Sequence, residues 1–323
     1  MSSSMILLNL NGFSFTLYAL LAILGFILAA GLSCFFAPRH KISRGNAAVF
    51  ALLAGVLSLM LGRIIYCVVR FDSLFHDEIG NSLGLAPFFD MGIGSVSIVG
   101  AALGIPLAAL ICACAAHQKM ASFLDLAALP ATAYFCFMRF IEPLSGQGYG
   151  DFVENPAFCF YPLARPTAWD EWLQSICSIE AILILAVLIA LWFLQKRTRR
   201  QGSLALYAAA LLAATQVLPE AFRRDNVLYI FIFARVTHIG CAFVLFFSLL
   251  IPLIHGKKHG LSTRALVVEL LLMLLGLGLC IGVIYALDKT TISQALLYTV
   301  MVLDLAGLTF PACRRIHLED RRG

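Results

Sequence analysis

Long apolar runs separated by short polar segments dominate the chain. Runs of about 20 residues are long enough to cross the hydrocarbon core of a bilayer as helices, and the strict alternation of a membrane barrel is absent. The pattern predicts an all-α, polytopic membrane protein with nine spans: 13–36, 47–69, 91–116, 122–141, 176–194, 203–219, 228–254, 265–287 and 294–312. The sixth run is short and ends at Pro219, so we expect it to be a half-span or to tilt at its end.

The charges around these runs predict their orientation. No Lys or Arg precedes the first run, and Arg39, Lys41 and Arg44 follow it, which is the reverse of a cleaved signal peptide. We therefore expect a retained first helix with the N-terminus outside and the C-terminus in the cytoplasm. Because cytoplasmic loops are enriched in Lys and Arg, this is supported by the segments that hold most of the 23 basic residues: 37–46, 117–121, 195–202, 255–264 and the tail after 312.

Two loops on the other side, 70–90 and 142–175, are long and comparatively acidic. Their acids are Asp72, Asp77, Glu78, Asp90, Glu142, Asp151, Glu154, Asp170 and Glu171. Since both loops are longer than a simple connection needs, we expect them to form a small external cap. No internal repeat or low-complexity linker divides the chain, so residues 1–323 are predicted to form a single membrane domain.

Composition agrees with the hydropathy pattern. Hydrophobic residues make up 61% of the chain, charged residues 13%, and the mean hydropathy is +0.91, which excludes a soluble globular protein. The net charge of +5 follows from the basic cytoplasmic loops, so no nucleic-acid partner is inferred from it. Most of the ten cysteines lie in apolar runs, where they act as small buried hydrophobes, so we predict no metal site and no cofactor. Cys159 and Cys177 lie in or beside the second external loop, and the sequence leaves their pairing open.

The segment 138–150, MRFIEPLSGQGYG, holds the first candidate site. Arg139 closes an apolar run, and Gly146, Gly148 and Gly150 follow within a few residues. A cation at the end of a membrane helix, followed by a loop with exposed backbone N–H groups, suits an anion such as a phospholipid headgroup. There is no GxSxG, HExxH or Walker motif, so hydrolase, metalloprotease and nucleotide-driven functions lack support.

A second polar cluster, QVLPEAFRRD at 216–225, ends the sixth run. Gln216 and Glu220 are four residues apart and share a helix face if Pro219 permits it, while Arg223 and Arg224 follow at the outer surface. Two arginine-bearing clusters on the same side would suit a phospholipid headgroup, and the alternative is a solvated interfacial rim.

Other polar residues within the runs also require partners or a wet cavity. Arg63 could pair with an acid on a neighbouring helix, and Arg235 could reach an interface or a structural acid. His238 is interpreted as a hydrogen-bonded core histidine. The remaining intramembrane acids are interpreted as helix–helix contacts or interface acids: Asp125, Glu180, Glu269 and Asp304.

These stretches resemble the prolipoprotein diacylglyceryl transferase family over roughly residues 15–250. Against the family motif G-R-x-G-N-F-x-N-G-E-x-x-G, Arg139, Gly146 and Gly150 match. The other similarities are Asp125 at an upstream family aspartate, Tyr18 at a first-helix tyrosine, Arg63 within a G-x-R-x-x-Y stretch, the segment 94–104 at G-G-x-S-F-H-G-G, and Glu220 with Arg223 within R-F-x-x-E-F-x-R.

The resemblance implies seven family spans within 13–254, two additional spans within 265–312, and a multi-pass protein of the bacterial cell membrane. It implies transfer of the diacylglyceryl group of phosphatidylglycerol, or of another anionic phospholipid, to the cysteine thiol of a preprolipoprotein lipobox. Arg139, Tyr18 and Glu220 would form the catalytic set. The implied substrate-binding residues are Arg63, Glu142, Gly146, Gln147, Gly150, Gln216 and Arg223.

Four positions depart from the family pattern. Val99 stands at a family histidine, Gln216 at an arginine, Glu142 at an asparagine and Gln147 at a glutamate. One hypothesis is therefore an active transferase in which Arg223 or Arg224 replaces the missing arginine. The alternative is a catalytically impaired paralogue that binds phospholipid or lipoprotein. A small-solute transporter is disfavoured because paired half-helices and an inverted repeat are not seen.

Overall fold

The structure, a computed structural model, describes residues 6–10, 13–76, 82, 84–89, 96–167, 171–225, 228–230 and 234–321. Across this part of the chain, nine helices are long and apolar enough to cross a membrane, which confirms the predicted all-α multi-pass architecture. Four of the acids assigned to the external loops lie outside the described residues: Asp77, Glu78, Asp90 and Asp170. The start of the predicted third span, 91–95, lies outside them as well.

The helices follow the apolar runs in order. Their bounds are α1 Leu17–Phe36, α2 Arg44–Val69, α3 Phe71–Phe75, α4 Ala86–Phe89, α5 Ile98–Ala116, α6 Met120–Ile141, α7 Ile176–Leu194, α8 Ser203–Phe222, α9 Val236–Lys258, α10 Thr263–Lys289 and α11 Gln294–Asp320. The short helices α3 and α4 lie in the loop between α2 and α5. The other nine are the candidate spans.

Two predicted boundaries were wrong in a way that affects the site. α8 does not stop at Pro219 but continues to Phe222, because proline removes one backbone donor without preventing the last turn from forming. The seventh span begins at Val236 rather than at residue 228. Arg235 is consequently the residue that precedes α9, and it lies outside the helix.

Small β elements lie outside the observed helices, and the sequence analysis predicted none of them; β2 takes up residues 13–16 of the predicted first span. β1 (Ile6–Leu10) and β2 (Phe13–Thr16) form an antiparallel hairpin before α1. β3 (Tyr149–Phe152), β4 (Ala164–Pro166) and β5 (Trp172–Ser175) form a sheet of order β3-β5-β4. This sheet accounts for part of the expected cap. We call the end of the bundle that carries it the sheet end.

The core is formed by the faces that the helices turn toward one another. At the end opposite the sheet, Phe50, Phe123 and Leu126 are almost fully buried. Farther along the chain, Leu245 and Met301 centre a cluster in which α8 and α9 pack against α10 and α11. Large apolar side chains on the outer faces remain exposed, as expected for surfaces in contact with lipid.

An acid on one helix caps another helix at the end opposite the sheet. Gly202 precedes α8 and has no capping side chain of its own. Instead, Asp125 of α6 accepts hydrogen bonds from the backbone N–H groups of Gly202 (2.6 Å) and Ala205 (2.8 Å). Two N–H groups that α8 cannot satisfy internally are thereby paired, and α6 is fixed against α8.

Replacing Asp125 with Ala should therefore lower the free energy of unfolding by about 2 kcal/mol, because two buried N–H groups lose a charged acceptor. Denaturant titration in detergent would measure the change. Asp125→Asn, which keeps one acceptor oxygen, should lose less. Wild-type stability of Asp125→Ala would show that the cap contributes nothing.

Candidate functional site

Arg139 lies in the last turn of α6 and contacts two carboxylates. Its Nη1 is 2.7 Å from Glu142 Oε2, and its Nη2 is 2.9 Å from Oε1 of Glu180 on α7. The three side chains are only 3–10% exposed. Buried charges are stable only when they are paired and hydrogen-bonded, so this arrangement accounts for a cation at this depth.

Arg223 joins the same group from the end of α8. It forms an ion pair with Oε1 of Glu142, and its Nη2 is 4.0 Å from Oε2 of Glu180. Burial alone would lower the pKa of the Arg223 guanidinium, but the two carboxylates outweigh burial and raise it, so Arg223 stays cationic. We call Arg139, Glu142, Glu180 and Arg223 the charge cluster.

The local sequence explains why Glu142 meets Arg139. Pro143 follows the end of α6 and starts a 3₁₀ turn over Glu142–Ser145. Gly146, with φ of 75°, ends that turn in the left-handed region, which glycine adopts without strain. The chain reverses there, and the Glu142 carboxylate is held three residues from Arg139 with its side chain turned inward.

Residues 146–150, which we call the glycine loop, lie directly beside the charge cluster. Gly148 has φ of +88°, and a Cβ built on it would lie 2.5 Å from the Cβ of Cys177 and 3.5 Å from the carboxyl carbon of Glu142. A Cβ on Gly150 would lie 2.6 Å from Gln174 Oε1. Gly148 and Gly150 therefore permit a close backbone approach that other residues would block.

The segment after α8 holds this loop in place. The backbone N–H of Gly148 donates to Asp225 Oδ2 (2.7 Å), and the N–H of Arg224 donates to the Tyr149 carbonyl (3.1 Å). The Arg224 side chain forms two hydrogen bonds with Asp151, at 2.8 and 2.9 Å. Arg224 is thus committed to the sheet and is half exposed, whereas Arg223 points into the charge cluster.

The other predicted site residues fall into two groups. Tyr18 of α1 is within electrostatic range of Glu142, Arg139 and Arg223. Gln216 and Glu220 are both buried on α8, and the side chain of Arg223 is 13% exposed and ion-paired. The alternative of a solvated rim therefore does not hold for these three residues.

The second group of predicted site residues is either exposed or hydrogen-bonded to the backbone of another segment, away from the charge cluster. Gly146 is exposed and Gln147 is partly exposed. Arg63 donates to the backbone carbonyls of Phe88 (2.9 Å) and Pro87, so it holds α4. Arg235 donates to the carbonyls of Glu220 and Arg223 and thereby ties the start of α9 to the end of α8.

Glu180 and Asp225 are the residues that sequence reasoning missed. Glu180 was one of several intramembrane acids interpreted as helix contacts, yet it provides one half of the pairing for Arg139. The signal was its position in the first turns of α7, at the same membrane level as Arg139. Asp225 carried no signal, because only the folded chain brings it to Gly148.

Several buried polar atoms at this end have no hydrogen-bond partner among the described residues. They are Arg139 Nε, Arg223 Nε, Glu180 Oε2, Gln216 Nε2, Asp225 Oδ1 and Nδ1 of His238. Buried polar groups are normally paired, so a concentration of unpaired donors and acceptors indicates a place for a polar ligand. Within the described part of the chain, no group of three or more His, Cys, Asp or Glu could hold a metal ion.

An apolar cavity of about 470 Å³ lies beside this region, between the sheet and the ends of α7 and α8. Its walls include Phe152, Leu163, Ile179, Leu183, Leu218 and Phe222.

Cys159 and Cys177, whose pairing the sequence left open, are both free thiols.

Fold and site together define an α-helical, multi-pass membrane protein with a buried arginine cluster beside a glycine loop. The sequence profile of the prolipoprotein diacylglyceryl transferase family matches residues 5–254. The chain therefore belongs to this family. It is similar to the phosphatidylglycerol–prolipoprotein diacylglyceryl transferases of Streptococcus pneumoniae strains Hungary19A-6 and G54 (serotype 19F). With each it shares 26% identity over 226 residues, covering 66% of this chain and 79% of the relative.

The pairing in the charge cluster predicts a large stability effect for one acid. Glu180→Ala would leave the buried Arg139 and the largely buried Arg223 to share Glu142, so the free energy of unfolding should fall by about 3 kcal/mol. Denaturant titration in detergent would measure it. Glu171→Ala, at an exposed loop position, is the matched control and should stay near wild type. Equal stability of the two variants would contradict the assignment of Glu180 as a partner of Arg139.

Proposed function

We propose that this protein transfers the diacylglyceryl group of phosphatidylglycerol to the cysteine thiol of a prolipoprotein lipobox. Family membership over 5–254 and the activity named for the pneumococcal relatives support the proposal. In this proposal the protein is a multi-pass component of the bacterial cell membrane with its sheet end outside. The N-terminus is then outside and the C-terminus is in the cytoplasm, as the basic loops favour.

The observation that carries the proposal is the pair formed by the buried Arg139 and the largely buried Arg223, whose Nε–H groups are unpaired beside the glycine loop. In the reaction, the cysteine sulfur attacks a glycerol carbon, the carbon–oxygen bond breaks, and glycerol phosphate leaves. Negative charge grows on the leaving phosphate, so cations already fixed in a water-poor site stabilise the transition state. Arg139 and Arg223 are such cations.

The carboxylates of the charge cluster must be considered as well. In the structure, Glu142 and Glu180 occupy the guanidinium groups that a phosphate would use. A phosphate approaching Arg139 and Arg223 would replace part of this pairing with charge-assisted hydrogen bonds of similar strength. The unpaired Nε atoms of both arginines provide the first contacts, and the glycine loop permits the headgroup to reach them.

Tyr18 and Glu220 have supporting roles in this proposal. Tyr18 brings a hydroxyl from α1 to the cluster, and Glu220 lies within electrostatic range of Arg223 and Glu180. The buried Gln216, at a family arginine, adds an amide donor without a positive charge. Among the hypotheses raised by the sequence, family membership favours the transferase over a lipid-binding paralogue without turnover.

The experiment uses purified protein, phosphatidylglycerol with labelled acyl chains, and a lipobox peptide. Arg139→Ala should lower the rate of transfer at least 100-fold, because it removes a preorganised charge at the leaving group. Arg197→Ala, at an exposed position on the other side of the bundle, should retain the wild-type rate. Transfer should also require an anionic donor and should fail with phosphatidylcholine.

Three results would argue against the proposal. Wild-type protein that transfers nothing from any phospholipid would exclude it, and binding of phosphatidylglycerol without transfer would favour the lipid-binding paralogue. Equal rates of transfer for Arg139→Ala and Arg197→Ala would show that Arg139 of the charge cluster takes no part in the reaction.

A further inference from the structure

His238 lies near the start of α9 and is only 8% exposed. Its Nε2 is 3.2 Å from the backbone carbonyl oxygen of Val217 on α8. A carbonyl oxygen only accepts hydrogen bonds, so this contact assigns the proton to Nε2 in the neutral ring. The lone pair is then on Nδ1, which is buried and has no hydrogen-bond partner among the described residues.

The imidazole belongs to the same end of the bundle as the charge cluster. One turn before it, Arg235 binds the carbonyls of Glu220 and Arg223, so α9 is fixed against the last turns of α8. One turn after it, Cys241 is within electrostatic range of Glu220 and Glu180. The side chain of Gln216, next to Val217, contributes a second buried atom without a partner.

The other side of this α9 turn is apolar. A Cβ built on Gly240 would lie 2.7 Å from Cγ2 of Val99 on α5, so the two helices pack closely there. Among the described residues, the His238 ring forms a hydrogen bond with the Val217 carbonyl and none with a carboxylate. One backbone contact therefore holds the ring, and Nδ1 can accept a proton.

The proposed reaction needs such an acceptor. A cysteine thiol is mostly protonated near neutral pH, and the thiolate is the nucleophile. Glu142 and Glu180 both form ion pairs with arginines, so a proton taken up by either carboxylate would leave a guanidinium without its counter-charge. Nδ1 of His238 takes part in no ion pair or hydrogen bond among the described residues, so a proton can be added there without breaking one.

We infer that His238 is the general base that takes the thiol proton of the incoming cysteine, an inference that rests on the proposed function. The S–H proton passes to Nδ1 as the sulfur–carbon bond forms. The carbon–oxygen bond of the phospholipid breaks, and its electron pair leaves on the phosphate. The imidazolium then releases its proton to water, which restores the neutral ring.

Two variants separate catalysis from structure. His238→Gln can keep an N–H donor for the Val217 carbonyl but cannot take up a proton, so kcat should fall about 100-fold or more with little change in KM. His238→Ala should lose a similar factor, and added imidazole should restore at least a tenth of the lost rate by entering the vacated space. His255→Ala, at the opposite end of the same helix, is the control and should keep wild-type kinetics.

The outcomes are distinguishable from failure of the proposed function. If wild-type protein shows no transfer, the function itself is excluded. If wild-type is active and His238→Gln keeps at least a third of its kcat, His238 is not the base. If His238→Gln loses activity or fails to fold and imidazole does not rescue His238→Ala, the histidine serves only the link to α8 and the inference is overturned.

Discussion

The pairing of buried charge at the sheet end is the constraint on which the rest of the site depends. Arg139 is tolerated near the membrane interior because Glu142 and Glu180 receive its hydrogen bonds, and Glu142 in turn pairs with Arg223. These contacts join α6, α7 and the end of α8. A change in any one of the four side chains would leave another buried charge uncompensated, so the local fold and the chemistry of the site are inseparable.

The opposite end of the bundle uses acids differently. There, carboxylates satisfy backbone N–H groups: Asp125 caps α8, and Asp320 at the end of α11 accepts from the N–H groups of Arg199 and Arg200. Arg315 of α11 also pairs with Glu269 of α10. The two helices beyond the family match are therefore fixed to each other and to the loop before α8. These contacts lie at the end of the bundle opposite the charge cluster.

Hydropathy predicted the number and order of the spans because each needs about 20 apolar residues regardless of its neighbours. It misplaced the start of α9, since the apolar residues at 228–233 resemble membrane residues, although the helix begins only after Arg235. The motif identified Arg139 and the glycine loop. The contacts of Glu180 and Asp225 could not be predicted, because a helix pattern gives the face of a residue but not its partner across the bundle.

Two of the predicted departures from the family motif can be interpreted physically in the folded chain. Glu142, predicted from the motif to stand at a family asparagine, gives Arg139 and Arg223 a shared anion. Gln216, predicted to stand at a family arginine, brings no charge that must be neutralised. A site with balanced charge is stable without ligand, and an anion can use the Nη groups of the arginines only by replacing the carboxylates. The Nε–H groups of both arginines are unpaired, so a phosphate can first bind to them and displace a carboxylate afterwards.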